Sequence, residues 1–510
     1  MLDASNSRFP KRTALVFGTK KVTYKELSST TKRLAAGLSG LGVSCGDKAA
    51  IWLPNSPEFV YSFFAVTRLG AAAVPINTML KREEAHFILE DSRAKVLIVS
   101  IDKYEDAQNL LSRIDSLTSL ICVPAPAGSN ALDFYALIRD NQELFSGNRL
   151  SGGEAAQIVY TSGTTGKPKG AILTHENILS NVRAASTVFG VHSRDVFLCI
   201  LPLFHSFAST VCLFLPLYNG AAVVLMRAVR PFKRVVRAVF KNRVSIFVAV
   251  PALYNILAGT KTPFLKLFLN ALVNPVRLYV SGASALSAKV WKKFEQRFRR
   301  PLLEGYGLTE ASPVVSVNPQ NKRKPDSVGL ALPGVEIKIT DKVGKTLSAG
   351  EVGEIAVRGP NVMAGYYNHP QETAAVIRAG WLYTGDLGKF DSDGYLYIVG
   401  RLKEMINVRG LNVYPREIED LLYEHSGIKE AAVIGLEHRH RGEVPVAVVV
   451  AEGKIDEHEL MMYLRRNLAS YKVPLKVISR ESLPKNATGK VLKRELVEAY
   501  KDLFQKEAVA

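Results

Sequence analysis

Within eleven residues, Tyr160-Thr161-Ser162-Gly163-Thr164-Thr165-Gly166-Lys167-Pro168-Lys169-Gly170, the chain gathers four aliphatic hydroxyls, three glycines and two ammonium groups. Bare amides and positive charge attract phosphate oxygens, so this stretch reads as a grip for a polyphosphate. The Walker loop of P-loop NTPases is the nearest rival; it needs two glycines five positions apart, then Lys and a Ser or Thr for magnesium. Here Thr161 stands in the first glycine's place and Pro168 in that of the hydroxyl. The Walker reading fails at both. A bare connector between Gln157-Ile158-Val159 and a helix starting near Thr174-His175-Glu176 is the plainer alternative.

Four other groups could do chemistry. Leu201-Pro202-Leu203-Phe204-His205-Ser206-Phe207 sets one imidazole among aromatics, either as a core residue or as a donor to a substrate carboxylate. Ser281-Gly282-Ala283-Ser284 follows an apolar strand, and its small residues let a flat ligand approach backbone. Gly305-Tyr306-Gly307-Leu308-Thr309-Glu310 pairs an aromatic face with a hydroxyl and a carboxylate, which would suit a stacked adenine and a magnesium ion at Glu310. Tyr383-Thr384-Gly385-Asp386 offers a carboxylate for the two hydroxyls of a ribose, and Gly400-Arg401-Leu402-Lys403-Glu404 adds a cluster of charge. Each is also an ordinary turn when taken alone.

The elements that must hold these groups alternate. A hairpin at 14–23 leads into a helix with Thr23 as N-cap. Apolar strands at 49–53, 71–76 and 95–99 then alternate with helices at 59–69 and 81–90. This pattern indicates α/β architecture with parallel-rich sheets flanked by helices. The pattern weakens into Pro, Gly, Ser and Asn at 124–153, which reads as a subdomain seam. Beyond a hinge near Lys403, segments 430–435, 445–451, 457–468 and 475–479 read as a small α+β unit.

Composition sets the outer bounds. With 510 residues, 47% hydrophobic and 22% charged, the chain has room for about three domain-sized units and is neither disordered nor fibrous. Cys45, Cys122, Cys199 and Cys212 are scattered without a metal-binding or disulfide spacing, which suits a reducing cytoplasm, and residues 1–20 carry no secretory signal. Residues 197–226 lack charge but are broken by Pro202, His205, Pro216 and Asn219-Gly220, so a buried core segment is expected rather than a membrane span. The net charge of +19 calls for anionic partners, and no nucleic-acid-binding motif is present. In 231–242 the apolar Phe232, Val235, Val236, Val239 and Phe240 line one helical face and Lys233, Arg234, Arg237 and Lys241 the other. Two readings stand: a helix covering a sheet, or one docking on anionic lipid at the inner face of a membrane.

In order and separation, these stretches, together with Pro484-Lys485-Asn486-Ala487-Thr488-Gly489-Lys490, resemble the motif series of the acyl-adenylate-forming superfamily, and within it bacterial fatty acyl-CoA synthetases, from about residue 13 to 500. The resemblance implies an adenylation domain over 1–401, with several subdomains and a distorted barrel, and a small mobile domain over 402–510. It implies two half-reactions. A carboxylate, most readily a medium- or long-chain fatty acid, displaces pyrophosphate from ATP; coenzyme A then displaces AMP.

Roles carry over by position. Lys490 matches the adenylation lysine. Residues 161–169 (Thr161, Ser162, Gly163, Thr164, Thr165, Gly166, Lys167 and Lys169) match the phosphate grip, and Thr309 the α-phosphate contact. Glu310 with Thr161 matches the magnesium site. Ser281, Gly282, Ala283, Ser284, Gly305, Tyr306 and Gly307 surround adenine, and Asp386 and Arg401 hold ribose. His205, Phe207, Gly282 and Gly307 face the acid; Lys403 is the hinge; Val408, Arg409, Gly410 and Leu411 help form the coenzyme tunnel. The rival enzymes are an acyl-AMP ligase loading a carrier protein, disfavoured because no segment is inserted between Asp386 and Arg401, and an aromatic-acid ligase. From another class comes a lapsed enzyme that binds nucleotide and tethers to membrane.

Overall fold

The computed structural model describes residues 1–144, 150–161, 168–259, 273–409, 411–438, 442–451, 453, 456–486 and 489–504. Two large sheets carry most of the chain. The first runs Gly365–Tyr366, Lys169–Thr174, Ala155–Thr161, Ala72–Pro75, Lys48–Trp52, Val96–Ser100, Ser119–Val123 and Leu132–Asp133. It is parallel from Ala155–Thr161 onward and antiparallel at the other edge.

The second has nine strands with a parallel centre, Leu302–Gly307, Leu278–Ser281, Ile246–Ala249, Val196–Cys199, Ala222–Leu225 and Thr13–Phe17. Thr13–Phe17 joins the expected hairpin with Lys20–Thr23, yet its other edge pairs with Ala222–Leu225 far along the chain.

A helix covered on both flanks is buried on nearly every side. Pro57–Arg68, started by Pro57 and by Ser56 accepting the Phe59 N–H, is buried along eleven of its twelve residues. The helix Tyr24–Gly40 begins at the expected cap: Thr23 accepts from Glu26 N–H while Glu26 reaches back to Thr23. Together with His175–Phe189 these helices form one core shared by both sheets.

The uncharged stretch is a buried strand, Val196–Cys199, then a π-helical turn, Ala208–Phe214, running into Leu215–Tyr218, then the strand Ala222–Leu225. Among the described residues no helix is long and apolar enough to cross a membrane. The stretch 124–153, expected as a subdomain seam, runs between Ser119–Val123 and Ala155–Thr161, two strands of the same sheet. It is an excursion carrying the edge strand Leu132–Asp133 and the helix Phe134–Arg139.

An antiparallel half-barrel sheet of Glu336–Thr340, Gly353–Arg358, Ile377–Arg378, Trp381–Phe390 and Leu396–Arg401 follows. The turn Leu402–Glu404 leads into a small α+β domain, with a sheet of Leu411–Val413, Ile406–Val408, Gly442–Ala451, Ile428–His438 and Lys476–Ser479. The helices Pro415–Glu424, Glu457–Asn467 and Lys493–Tyr500 pack on it.

Candidate functional site

Parallel strands of the second sheet end side by side, so the loops after them converge on one place. Strand Leu278–Ser281 delivers Ser281, whose buried hydroxyl has no hydrogen-bond partner among the described residues, then Gly282, Ala283 and Ser284. The next strand, Leu302–Gly307, delivers Gly305, Tyr306 and Gly307 and is followed by Thr309 and Glu310 on a short 3-10 turn. Two of these glycines are required by close approach. A Cβ on Gly282 would stand 2.7 Å from the Phe207 ring, and one on Gly307 would collide with the Pro313 carbonyl.

Asp386 is the hub of the polar side. It faces Arg401 across the antiparallel pair Trp381–Phe390 and Leu396–Arg401 and lies 3.0 Å from the Arg401 Nε. The Tyr306 hydroxyl donates to its other oxygen at 2.6 Å. Asp386 is only 6% exposed, so these two partners replace the water it gives up. They also tie the nine-stranded sheet to the half-barrel.

Lys490 comes to this hub from the small domain. Its loop is pinned by the Asn486 N–H to the Lys490 carbonyl, by the Lys490 N–H to Asn486 Oδ1, both at 2.9 Å, and by Leu492 N–H to the Pro484 carbonyl. Burial, with Arg401 as a like charge nearby, pulls the Lys490 ammonium below its usual range, while Glu404 and Asp386 partly oppose this. Behind it, Lys493 Nζ lies 3.0 Å from Glu404 and 2.7 Å from Glu419. Burial raises the Glu404 carboxyl, but Lys493, Lys490 and Arg401 outweigh it and hold it below the usual carboxylate range.

His205 faces the same space. Burial, then the charge of Lys490, lowers the imidazole to about 4, so it is neutral at physiological pH. Its Nδ1 accepts the Phe207 N–H at 3.3 Å, which leaves the proton on Nε2 as a donor. Around it Leu201, Pro202, Phe207, Ala208, Val250 and Ala283 line a small apolar pocket. The π-helical turn starts at this pocket. Its far end, Phe214, lines a separate, larger cavity of about 380 Å³ with Phe63, Phe64 and Ile178 and with the polar Asp3, Arg68 and His175.

On the third side the Thr309 and Ser206 hydroxyls are 3.0 Å apart. Glu310 accepts the Tyr366 hydroxyl at 2.9 Å. Tyr366 belongs to the edge strand paired with Lys169–Thr174, so Glu310 is fastened to the strand that leaves the hydroxyl-rich loop. Thr161 and Lys169 are register partners at the mouth of that loop, and the Lys169 ammonium sits 5.5 Å over the Tyr366 ring. Ser162, Gly163, Thr164, Thr165, Gly166 and Lys167 lie outside the described residues, as does Gly410.

The structure thus gathers His205, Phe207, Gly282, Tyr306, Asp386, Arg401 and Lys490 at one locus, with Thr309, Glu310 and Lys169 on its flank. The hairpin bearing Val408, Arg409 and Leu411 does not join them: it pairs with Gly442 in the small domain's sheet, with Leu411 half exposed. Lys403 sits exposed in the connecting turn. Ser206, Tyr366, Glu404 and Lys493 were not singled out from the sequence. Ser206 follows His205 directly and Glu404 follows Lys403, but Tyr366 and Lys493 have no chemical spacing to mark them.

A profile described as AMP-binding enzyme matches residues 2–367, and one described as AMP-binding enzyme C-terminal domain matches 417–490. The chain is 35% identical to a long-chain-fatty-acid–CoA ligase of Bacillus subtilis strain 168, over 98% of this chain and 93% of that one. It is 34% identical to 4-coumarate–CoA ligase 2 of Nicotiana tabacum, over 96% and 92%. ATP-bound MatB from Rhodopseudomonas palustris superposes with a TM-score of 0.91 over 99% of both chains, at 31% identity.

Proposed function

Because the chain belongs to the family of AMP-binding enzymes and is a ligase that makes acyl-CoA thioesters at the expense of ATP, we propose that its acid is a medium- or long-chain fatty acid. The observation that carries this reading is the pocket at His205, where a neutral donor with the Lys490 ammonium near it faces walls that are otherwise apolar. A carboxylate head pairs with these two groups. The pocket itself holds only about 10 Å³, so a hydrocarbon tail enters as the apolar walls part.

In the first half-reaction a carboxylate oxygen bonds to the α-phosphorus of ATP as the bond to pyrophosphate breaks. An anion attacks a polyanion, so cations aimed at the developing charge are the main requirement. Lys490 bridges the carboxylate and the α-phosphate, and His205 Nε2–H orients the acid. No base is needed for an ionised acid. Thr309 holds the α-phosphate; residues 161–169 hold the leaving pyrophosphate. Ser281 to Ser284, Gly305, Tyr306 and Gly307 enclose adenine, and Asp386 with Arg401 takes the ribose. Magnesium fits beside Glu310, since it commonly takes one or two carboxylates plus phosphate oxygens, with Thr161 as a further oxygen donor. It would neutralise phosphate charge there.

In the second half-reaction the thiol sulfur of coenzyme A bonds to the acyl carbon and AMP leaves. The small domain, taken as 402–510, rotates about Lys403 against 1–401, withdrawing Lys490 and presenting Val408, Arg409, Gly410 and Leu411 to the coenzyme. The enzyme works in the cytoplasm, with peripheral contact to anionic membrane supported by its charge of +19.

The test is pyrophosphate release measured across acids of graded length and aromaticity, with and without coenzyme A. Medium or long aliphatic acids should give the highest kcat/KM, with thioester formed only when coenzyme A is present. Preference for hydroxycinnamates or benzoates would favour an aromatic-acid ligase, a reading to which the tobacco relative lends weight. Turnover with a pantetheinylated carrier protein, but not with coenzyme A, would reassign the acceptor.

A further inference from the structure

The positive charge of this chain is not spread over it. Between residues 227 and 300 there are sixteen Lys and Arg and a single acid, Glu295; elsewhere the remaining 50 basic and 46 acidic side chains nearly cancel. Among the described residues of this run, which exclude 260–272, the fold builds a surface. Helices Phe232–Lys241, Pro251–Gly259 and Ala288–Phe298 share one core, through Val235, Val239, Tyr254, Leu257, Phe294 and Phe298, on one face of the nine-stranded sheet.

With their apolar sides spent on that core, the first and third helices present cations outward: Arg234, Arg237 and Lys241 on one, Lys292 and Lys293 on the other, all exposed. On the middle helix Ile256 is 53% exposed. Glu295, the one acid, is engaged by Arg323 at 2.9 Å. Not every cation of the run is offered to a partner. Arg277 is tied to the buried Asp195 at 2.7 Å, and Arg297 donates to the carbonyls of Leu257 and Ala258.

We propose that this three-helix face docks the enzyme on an anionic phospholipid bilayer. A broad cationic face flanking an exposed aliphatic side chain matches the headgroup layer, where phosphates take the charges and the aliphatic group reaches the acyl boundary. The choice of a bilayer over another polyanion rests on the fatty-acid reading above, since such acids and their thioesters partition into membranes. Docking does not use the catalytic residues, so binding and substrate preference are measured separately.

The experiment is co-sedimentation of the full chain with phosphatidylglycerol-containing vesicles and with pure phosphatidylcholine vesicles, at low and high salt. The variant carries Arg234→Glu, Arg237→Glu, Lys292→Glu and Lys293→Glu. A control with four Lys→Glu reversals at the exposed Lys342, Lys345, Lys389 and Lys476, on the half-barrel sheet and the small domain, matches the change in net charge away from this face. The expected result is binding to anionic vesicles that high salt releases, lowered about thirtyfold or more in the four-site variant and far less in the control. Pyrophosphate release with soluble acid should stay within about twofold of the parent, which also reports folding. Equal binding to both vesicle types, undiminished binding by the four-site variant, or tighter binding to RNA than to anionic vesicles would each overturn the proposal.

Discussion

Lys490 and His205 lie on opposite sides of the hinge in the chain, yet the lysine's charge is felt at the imidazole, where it adds to burial in suppressing protonation. The pair defines which conformation this structure is in. The small domain is seated with its lysine inside the site, the arrangement that the proposed adenylation step calls for.

Replacing Lys490 by Met should therefore separate the two half-reactions. Pyrophosphate release should fall on the order of 100- to 1,000-fold, as when one charge-stabilising group is lost from a transition state. Conversion of supplied acyl-AMP and coenzyme A to thioester should stay near the parental rate. An equal loss in both steps, with the melting curve unchanged, would rule out a lysine that leaves between them.

His205 bears on the acid rather than the nucleotide. Substitution by Leu should lower kcat/KM for the acid about 10- to 100-fold, the usual range for a hydrogen bond to a charged partner, and leave KM for ATP nearly unchanged. Because its folded-state value is about 4, below the ordinary histidine value, the neutral donor persists above about pH 5 and is lost only as pH falls toward 4. A pH–rate profile assigning a limb near neutrality to this residue would contradict the geometry.

Tyr306→Phe keeps the ring and removes only the hydroxyl that Asp386 accepts. KM for ATP should rise about three- to tenfold with little change in kcat, since one neutral donor to a carboxylate is lost. A collapse of kcat instead would mean that the hydroxyl touches reacting groups.

Gly282→Val would drive a side chain against Phe207, whose ring must then swing within the apolar pocket. Long acids should suffer before short ones. A length series of kcat/KM values in both proteins checks this, and a uniform loss at every length would point to adenine instead.

Glu304, 2% exposed, accepts the Leu286 N–H at 2.9 Å and sits near Arg416, Asp326 and Asp420 where the small domain meets the sheet. Burial raises it to about 7. A raised carboxyl favours the folded, seated state most below its unfolded value, near 4.5, and that contribution fades as pH rises through about 7. Glu304→Gln keeps an acceptor for Leu286 and should raise the melting temperature at pH 8 by about 2–4 °C, with little effect at pH 5. Parallel melts at the two pH values decide it.

The alternation of strands and helices, the Thr23 cap and the individual strands of the small C-terminal domain could be read from residue patterns because each depends on neighbours a few positions away. The order of strands could not. Nothing local says that Thr13–Phe17 lies beside Ala222–Leu225, or that one sheet continues across 124–153. A π-helical turn has no signature in an apolar run, so Ala208–Phe214 was legible only as buried. In the site, Asp386 and Glu310 could be proposed from residue type and setting, and Lys490 only from the motif series it belongs to. Those that only hold them, Tyr366 on Glu310 and Lys493 on Glu404, are recognisable once the fold has set them in place.

Both oxygens of Asp386 already have partners in the chain, Tyr306 and Arg401. A carboxylate oxygen has two lone-pair directions, so in the proposed ribose role Asp386 takes the sugar while keeping both neighbours. Tyr306 and Arg401 then hold the acceptor in one place with the nucleotide bound or gone, so the hub needs no rearrangement from one turnover to the next.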